Sequence, residues 1–286
     1  MRLILGDNPF FGVNHKSGSK PLDDELVRFK NAATIISEAA VNDFTIFMLS
    51  AHPGYGRLLA EADVALSAVG SSVDLALVIP YPHSLNKLVA EGGYYALAQA
   101  VGYKALLYSI FEFFSVVRSD KSKGLVTPFK KLIQIEAESI ETSNVRLKYV
   151  CLHNVVTDVL LAVGRTDLLN GFAVACLESG FEPVFISQNP ISLLGCEVLR
   201  PYVACFTYNL LGYMVNPQIG SVDKYLDTIA DRKGEKWAMQ VFASGALGLE
   251  EAVDSKVVKY FDGIVYATTN RSRIAQFSNK IKDVAK

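Results

Sequence analysis

Thr45-Ile46-Phe47-Met48-Leu49-Ser50-Ala51-His52-Pro53-Gly54-Tyr55-Gly56 is an apolar run that passes straight into a polar, glycine-bearing turn. The run reads as a buried strand, and the turn puts His52 and Tyr55 in one short loop. Three other segments repeat the pattern. Leu75–Ile79 leads to Tyr81 and His83. Tyr149–Leu152 leads to His153 and Asn154. Met1–Gly6 leads to Asp7 and Asn8, with His15 a little further on. The chain has four histidines, and each follows a different predicted strand. Parallel strands closed into a barrel bring their carboxyl ends to one face, where all four rings could approach one cavity.

Working outward, the remaining strands are Arg2–Leu5, Val73–Ile79, Arg146–Leu152, Pro183–Ile186, Val203–Phe206, Trp237–Phe242 and Asp262–Tyr266, beside Phe44–Leu49. Helical periodicity fills the gaps. A first helix runs from about Leu22 to Ala40, with apolar positions Leu26, Phe29, Ala33, Ile36 and Ala40. Others cover Tyr55–Val69, Thr157–Leu169, a turn near Gly171–Ser179, Val222–Asp231, a helix from Leu249, and Arg271–Ile281. Between strands three and four lie roughly sixty residues, far more than a simple crossover needs. Part of Ala105–Lys131 therefore reads as a helical insertion: a lid, a subunit contact, or a helical pair covering the flank. Eight apolar strands alternating with helices predict an α/β chain of the (β/α)8 TIM barrel type, in a single domain over residues 1–286. An open doubly wound sheet is the alternative, but its G-x-G-x-x-G signature after strand one is absent.

Composition agrees with one large core. Half of the 286 residues are hydrophobic and the mean hydropathy is +0.24. With 28 basic and 29 acidic residues the net charge is −1, which gives no electrostatic argument for nucleic acid or an anionic membrane. Cys151, Cys176, Cys196 and Cys205 show no CxxC spacing, so reduced thiols and a cytoplasmic location are expected. The apolar stretch Ala105–Val117 is too short to span a bilayer.

With the strands placed, the chain resembles the aldo-keto reductase family at a distance, over strands two, four and five to eight. Tyr55-Gly56 falls where that family carries its proton-donating tyrosine and glycine. Cys151-Leu152-His153-Asn154 matches the run that ends in its catalytic histidine. Ser187-Gln188-Asn189 stands where a Ser-Asn pair holds the nicotinamide amide. Ser244-Gly245-Ala246-Leu247-Gly248 and Thr269-Asn270-Arg271-Ser272-Arg273 stand where the cofactor phosphates bind. Two departures concern the chemistry. Ser50 replaces the acid of strand two, and Pro80-Tyr81-Pro82-His83 replaces the lysine after strand three. A phenol without those charges is a poor acid at neutral pH, since tyrosine ordinarily titrates near ~10.

Each candidate residue carries a plain structural alternative. Tyr55 is a proton donor to a carbonyl oxygen or a half-buried ring with a partnered hydroxyl. His153 orients or protonates the substrate oxygen, or simply ends a strand. His52 and His83 supply positive charge near Tyr55, or rim the loops. Asp7 is a base or metal ligand, or caps its own turn. Arg271 and Arg273 oppose the dipole at a helix start, which favours a phosphate there over a solvated pair.

Three functions compete. The first is a carbonyl reductase using NADP, with Tyr55 and His153 at the barrel mouth and Ser187, Asn189, Ser244, Asn270, Arg271 and Arg273 on the cofactor. The second is a lyase, isomerase or hydrolase, cofactor-free or with a divalent metal, using Asp7, His52, His83 and His153. The third is a non-catalytic scaffold. The expected partner is a small molecule, with a phosphorylated one admitted by the arginines; the insertion offers a surface for a homo-oligomer.

Overall fold

The computed structural model describes residues 1–11, 25–80, 126–138, 140, 142–215, 222–230 and 234–285. Within these, eight parallel strands close on themselves in sequence order. They are β1 (Arg2–Gly6), β2 (Phe44–Ser50), β3 (Val73–Ile79), β4 (Val145–Leu152), β5 (Glu182–Ser187), β6 (Val203–Thr207), β7 (Lys236–Met239) and β8 (Gly263–Tyr266). The β1–β8 register, with Ile4 opposite Val265, completes the circle. The expected barrel is therefore the observed one. Most of the anticipated insertion, with Tyr81, His83 and His15, falls outside the described residues.

The helices form the outer layer. They are α1 (Glu25–Val41), α2 (Tyr55–Ala68), α3 (Val126–Glu138), α4 (Asn154–Ala162), α5 (Thr166–Glu178), α6 (Pro190–Gly195), α7 (Val222–Ala230), α8 (Leu249–Ala252), α9 (Ser255–Tyr260) and α10 (Arg271–Val284). Two differences from the sequence reading have local causes. The helix expected over Thr157–Leu169 is two helices, because Gly164 turns left-handed at φ 71 and ends α4. The strand expected over Trp237–Phe242 stops at Met239, because Gln240 takes φ 59 and leaves the sheet.

Strand alternation splits the core in two. Leu3, Leu5, Phe47, Leu49, Leu75, Leu77, Val150, Leu152, Phe185, Phe206 and Ile264 face the helices. Ile4, Ile46, Met48, Ala76, Val78, Tyr149, Cys151, Val184, Ile186, Val203, Cys205 and Trp237 fill the barrel interior. Toward its amino end Trp237 packs edge-on against Tyr149 at 5.2 Å. Gly263 makes room for that indole: a Cβ there would lie 2.7 Å from Trp237 Cδ1. All four cysteines are buried free thiols. Among the described residues, no helix is long and apolar enough to cross a membrane.

Candidate functional site at the carboxyl end of the barrel

Each inner row of side chains, extended one step past its strand, reaches the barrel mouth. Ile46 and Met48 lead to Ser50, Tyr149 and Cys151 to His153, and Val184 and Ile186 to Gln188. The interior below is filled by packed side chains.

At the end of β1, Asp7 is the one charged residue of the described chain that is buried, at 6% exposure. Its Oδ2 accepts the Ser50 backbone N–H at 2.8 Å, extending the β1–β2 ladder with a side chain. Burial raises the carboxyl from 3.8 to about 6; the hydrogen bonds from Ser50 hold it from rising further. The turn that follows is held by the backbone, with Phe10 N donating to the Asp7 carbonyl.

His52 stacks on Phe11 with ring centroids 4.2 Å apart, which joins the β1 and β2 loops. Its Nδ1 lies 2.9 Å from the Pro53 carbonyl oxygen. A carbonyl only accepts, so Nδ1 carries the proton. His153 is arranged the other way. It caps α4 by accepting the Val155 N–H at Nδ1, 3.2 Å away, so the neutral ring carries its proton on Nε2. The His153 backbone N–H donates to Ile79 O, which ties this residue to the end of β3.

Tyr55 opens α2 behind Gly54, whose φ of 89 suits glycine. The phenol is buried and its hydroxyl donates to Glu136 on α3, at 2.9 Å to Oε2 and 3.0 Å to the carbonyl. Burial raises the Glu136 carboxyl and Tyr55 opposes that rise. The hydroxyl thus joins α2 to α3.

After β5, Ser187 is fully buried and lies on the helix-facing side. It donates to Asp158 of α4 at 2.5 Å, and the other Asp158 oxygen accepts Gln188 N at 3.0 Å. Burial raises Asp158, and these bonds counter it. Asn189 Oδ1 accepts Ser192 N and caps α6. Ser187 and Asn189 therefore hold the loop, while Gln188 takes the inner position. The sequence reading passed over Gln188, although alternation from Val184 and Ile186 marks it. It had no means of seeing Asp158 or Glu136, whose partners lie 29 and 81 residues away.

The ends of β7 and β8 adjoin because those strands pair. After β7, Ala243, Ser244 and Gly245 have consecutive φ values of 45, 56 and 83, a turn that L-residues rarely adopt. After β8, Asn270 caps α10 by accepting Ser272 N and Ser272 Oγ. Arg271 pairs with Glu38 of α1 at 2.7 Å. Arg273, two residues along, is exposed; burial raises the Tyr266 phenol, and Thr268 and then Arg273 oppose that rise. Among the described residues no three of His, Cys, Asp and Glu gather as a metal site; His83, one of the four ligands considered, lies outside them. The cysteine thiols at Cys151, Cys176 and Cys205 are pushed up by burial, which makes them poor nucleophiles. A groove between α3 and α5, lined by Lys130, Ile133, Gln134 and Glu178, lies near the amino end of β5, away from this rim.

This fold recurs in solved structures. A protein provisionally named an aldo-keto reductase from Pseudomonas aeruginosa superposes with a TM-score of 0.61 at 13% identity, over 99% of this chain and 90% of that one. What these likenesses show is the shared (β/α)8 barrel fold. An aldo-keto reductase from a Medee basin deep-sea metagenome library matches at TM-score 0.52 and 8% identity, over 90% of this chain and 88% of its own. A protein provisionally named 2,5-diketo-D-gluconic acid reductase B matches at 0.52 and 12%, over 99% and 86%. No family model and no curated protein matches the sequence. The distant resemblance read from strand order thus holds at the level of fold.

Proposed function

We propose that the chain is an oxidoreductase that uses a reduced nicotinamide dinucleotide, of NADP type, to reduce a carbonyl at the barrel mouth. What supports this reading is the meeting of the β7 and β8 ends beside the amino end of α10. A left-handed turn carrying Ser244 follows β7, and the N-terminus of the fourteen-residue α10, with Arg273 in its first turn, follows the paired strand β8. Loops after the last two strands are where barrels commonly hold phosphate. Ser244, Asn270 and Arg273 fit a dinucleotide phosphate, and the likeness to aldo-keto reductases supports that choice of ligand. Arg271, engaged by Glu38, contributes charge at longer range.

When bound, the reduced nicotinamide supplies a hydride to the carbonyl carbon. His153 would hold the carbonyl oxygen by a hydrogen bond from its Nε2–H, polarising the bond while keeping its own proton, with Nδ1 fixed by the α4 cap. Gln188, its backbone clamped by Asp158, orients the substrate from the adjacent strand. Tyr55 supports the wall through Glu136.

The test is oxidation of NADPH by the full chain against a panel of aldehydes, ketones and phosphorylated carbonyl compounds. Turnover lost in His153→Ala supports the reading; no turnover with any carbonyl opposes it. A second reading rests on Asp7. A buried carboxyl at about 6 suits cofactor-free proton transfer next to a carbonyl, as in an isomerase or lyase. That reading predicts exchange of substrate hydrogen with solvent deuterium in the absence of NADPH.

A further inference from the structure

Asp7 is buried just past the end of β1 without serving the turn that follows it, since backbone hydrogen bonds hold that turn. A turn or ladder role would be met by asparagine, with no charge to bury. What the carboxyl touches is Ser50. The Ser50 N–H donates to Oδ2 at 2.8 Å, and the Ser50 hydroxyl is near enough to the same carboxyl to oppose its rise. Ser50 continues the inner row of Ile46 and Met48, and it is half-buried where they are buried. The hydroxyl thus stands where the packed interior meets the mouth, with a carboxyl group behind it.

We propose that Ser50 and Asp7 form the proton path of the reaction above: Ser50 touches the substrate oxygen, and Asp7 acts through it. The proposal rests on the oxidoreductase reading. As the carbonyl carbon gains a hydride, the electron pair of the C=O π bond moves to oxygen. That oxygen takes the Ser50 hydroxyl proton. The Ser50 oxygen takes the proton of the Asp7 carboxyl in the same motion. Asp7 is left as a carboxylate and is recharged from solvent, so one hydride and one proton are consumed per alcohol formed. Alcohol oxidation runs the same path backwards. Asp7 suits the duty because it holds both protonation states near neutrality. Among the described residues no charged side chain acts on it: burial raises it, and Ser50 and its own backbone lower it. His52, on the loop beyond Ser50, is the titratable group nearest along β2.

The experiment compares the full-length wild type with Ser50→Ala, Ser50→Thr, Asp7→Asn and Tyr55→Phe, using NADPH and para-nitrobenzaldehyde. Calorimetric NADPH binding should stay within about twofold in every variant. Ser50→Ala and Asp7→Asn should lower kcat by about 100-fold with little change in KM, and Ser50→Thr should recover most of it. A readout independent of turnover is the carbon-13 NMR titration of the Asp7 carboxyl. Its midpoint should rise in Ser50→Ala, which removes a hydrogen bond to the charged form, and stay put in Tyr55→Phe. Wild-type kcat in Ser50→Ala with NADPH bound overturns the path, as does an unmoved Asp7 midpoint. Bound NADPH with no aldehyde reduction by the wild type overturns it too. Failure of the wild type to bind NADPH removes the oxidoreductase reading itself, while the NMR titration still reports on the pair.

Discussion

Asp7→Asn should reverse part of the pH dependence of stability. The folded carboxyl titrates at about 6 against an ordinary value of 3.8. A raised carboxyl binds its proton more tightly when folded than when unfolded. Between pH 4 and 6 the native state therefore carries more protons, and stability falls as pH rises through that window. Above about pH 6 the full penalty applies. A difference of that size corresponds to about 3 kcal/mol, the same order as burying a partly compensated charge. Asparagine keeps a carbonyl oxygen for the Ser50 N–H and removes the charge. Urea unfolding of wild type and variant at pH 4.5, 5.5, 6.5 and 7.5 isolates this one group, because all other carboxyls cancel in the difference. The variant should gain on the wild type by about 2 kcal/mol or more from the lowest to the highest pH, at unchanged m-value. Two parallel stability curves would refute the claim that Asp7 is buried in a charged-hostile site.

Other contacts give further expectations. Gly263→Ala should destabilise by about 1–3 kcal/mol in thermal melts and shift Trp237 emission, because its Cβ meets the indole at 2.7 Å; an unchanged melt would mean the barrel floor is looser than described. His153→Ala should cost about 1 kcal/mol in urea unfolding through the lost α4 cap, and His153→Asn should restore it, since asparagine also caps. Tyr55→Phe should cost about 1–3 kcal/mol by leaving Glu136 without its donor, yet leave turnover within about threefold; a loss of turnover with intact stability would return Tyr55 to the chemistry.

The barrel was legible because its signal is local. Each strand is a short, mostly apolar run, and most of these runs end in glycine, proline or a polar residue. Val73–Ile79 was placed to the residue, and the other strands within a residue or two except at β7. That exception turns on Gln240, whose left-handed φ no propensity marks. Of the candidate site, the positions were legible: His153 directly follows β4 and Asp7 directly follows β1, as strand order implied. Which way a polar tip faces was not, because partners distant in the chain decide it. Glu136 draws the Tyr55 hydroxyl into the helix layer, Asp158 draws Ser187 away from the mouth, and Glu38 engages Arg271. Gln188 is the converse case, since plain alternation puts it inside and only the family pattern directed attention to its neighbours.

The account depends on the β7–β8 end of the barrel binding a dinucleotide phosphate. Calorimetric titration of NADPH into the full chain tests this directly, with Arg273→Ala and Arg271→Ala as comparisons. The account predicts one site per chain, weakened about tenfold or more by Arg273→Ala, as expected for one charge-assisted hydrogen bond, and within about threefold of wild type for Arg271→Ala. No heat of binding from the wild type, or equal affinities in wild type and Arg273→Ala, would contradict it.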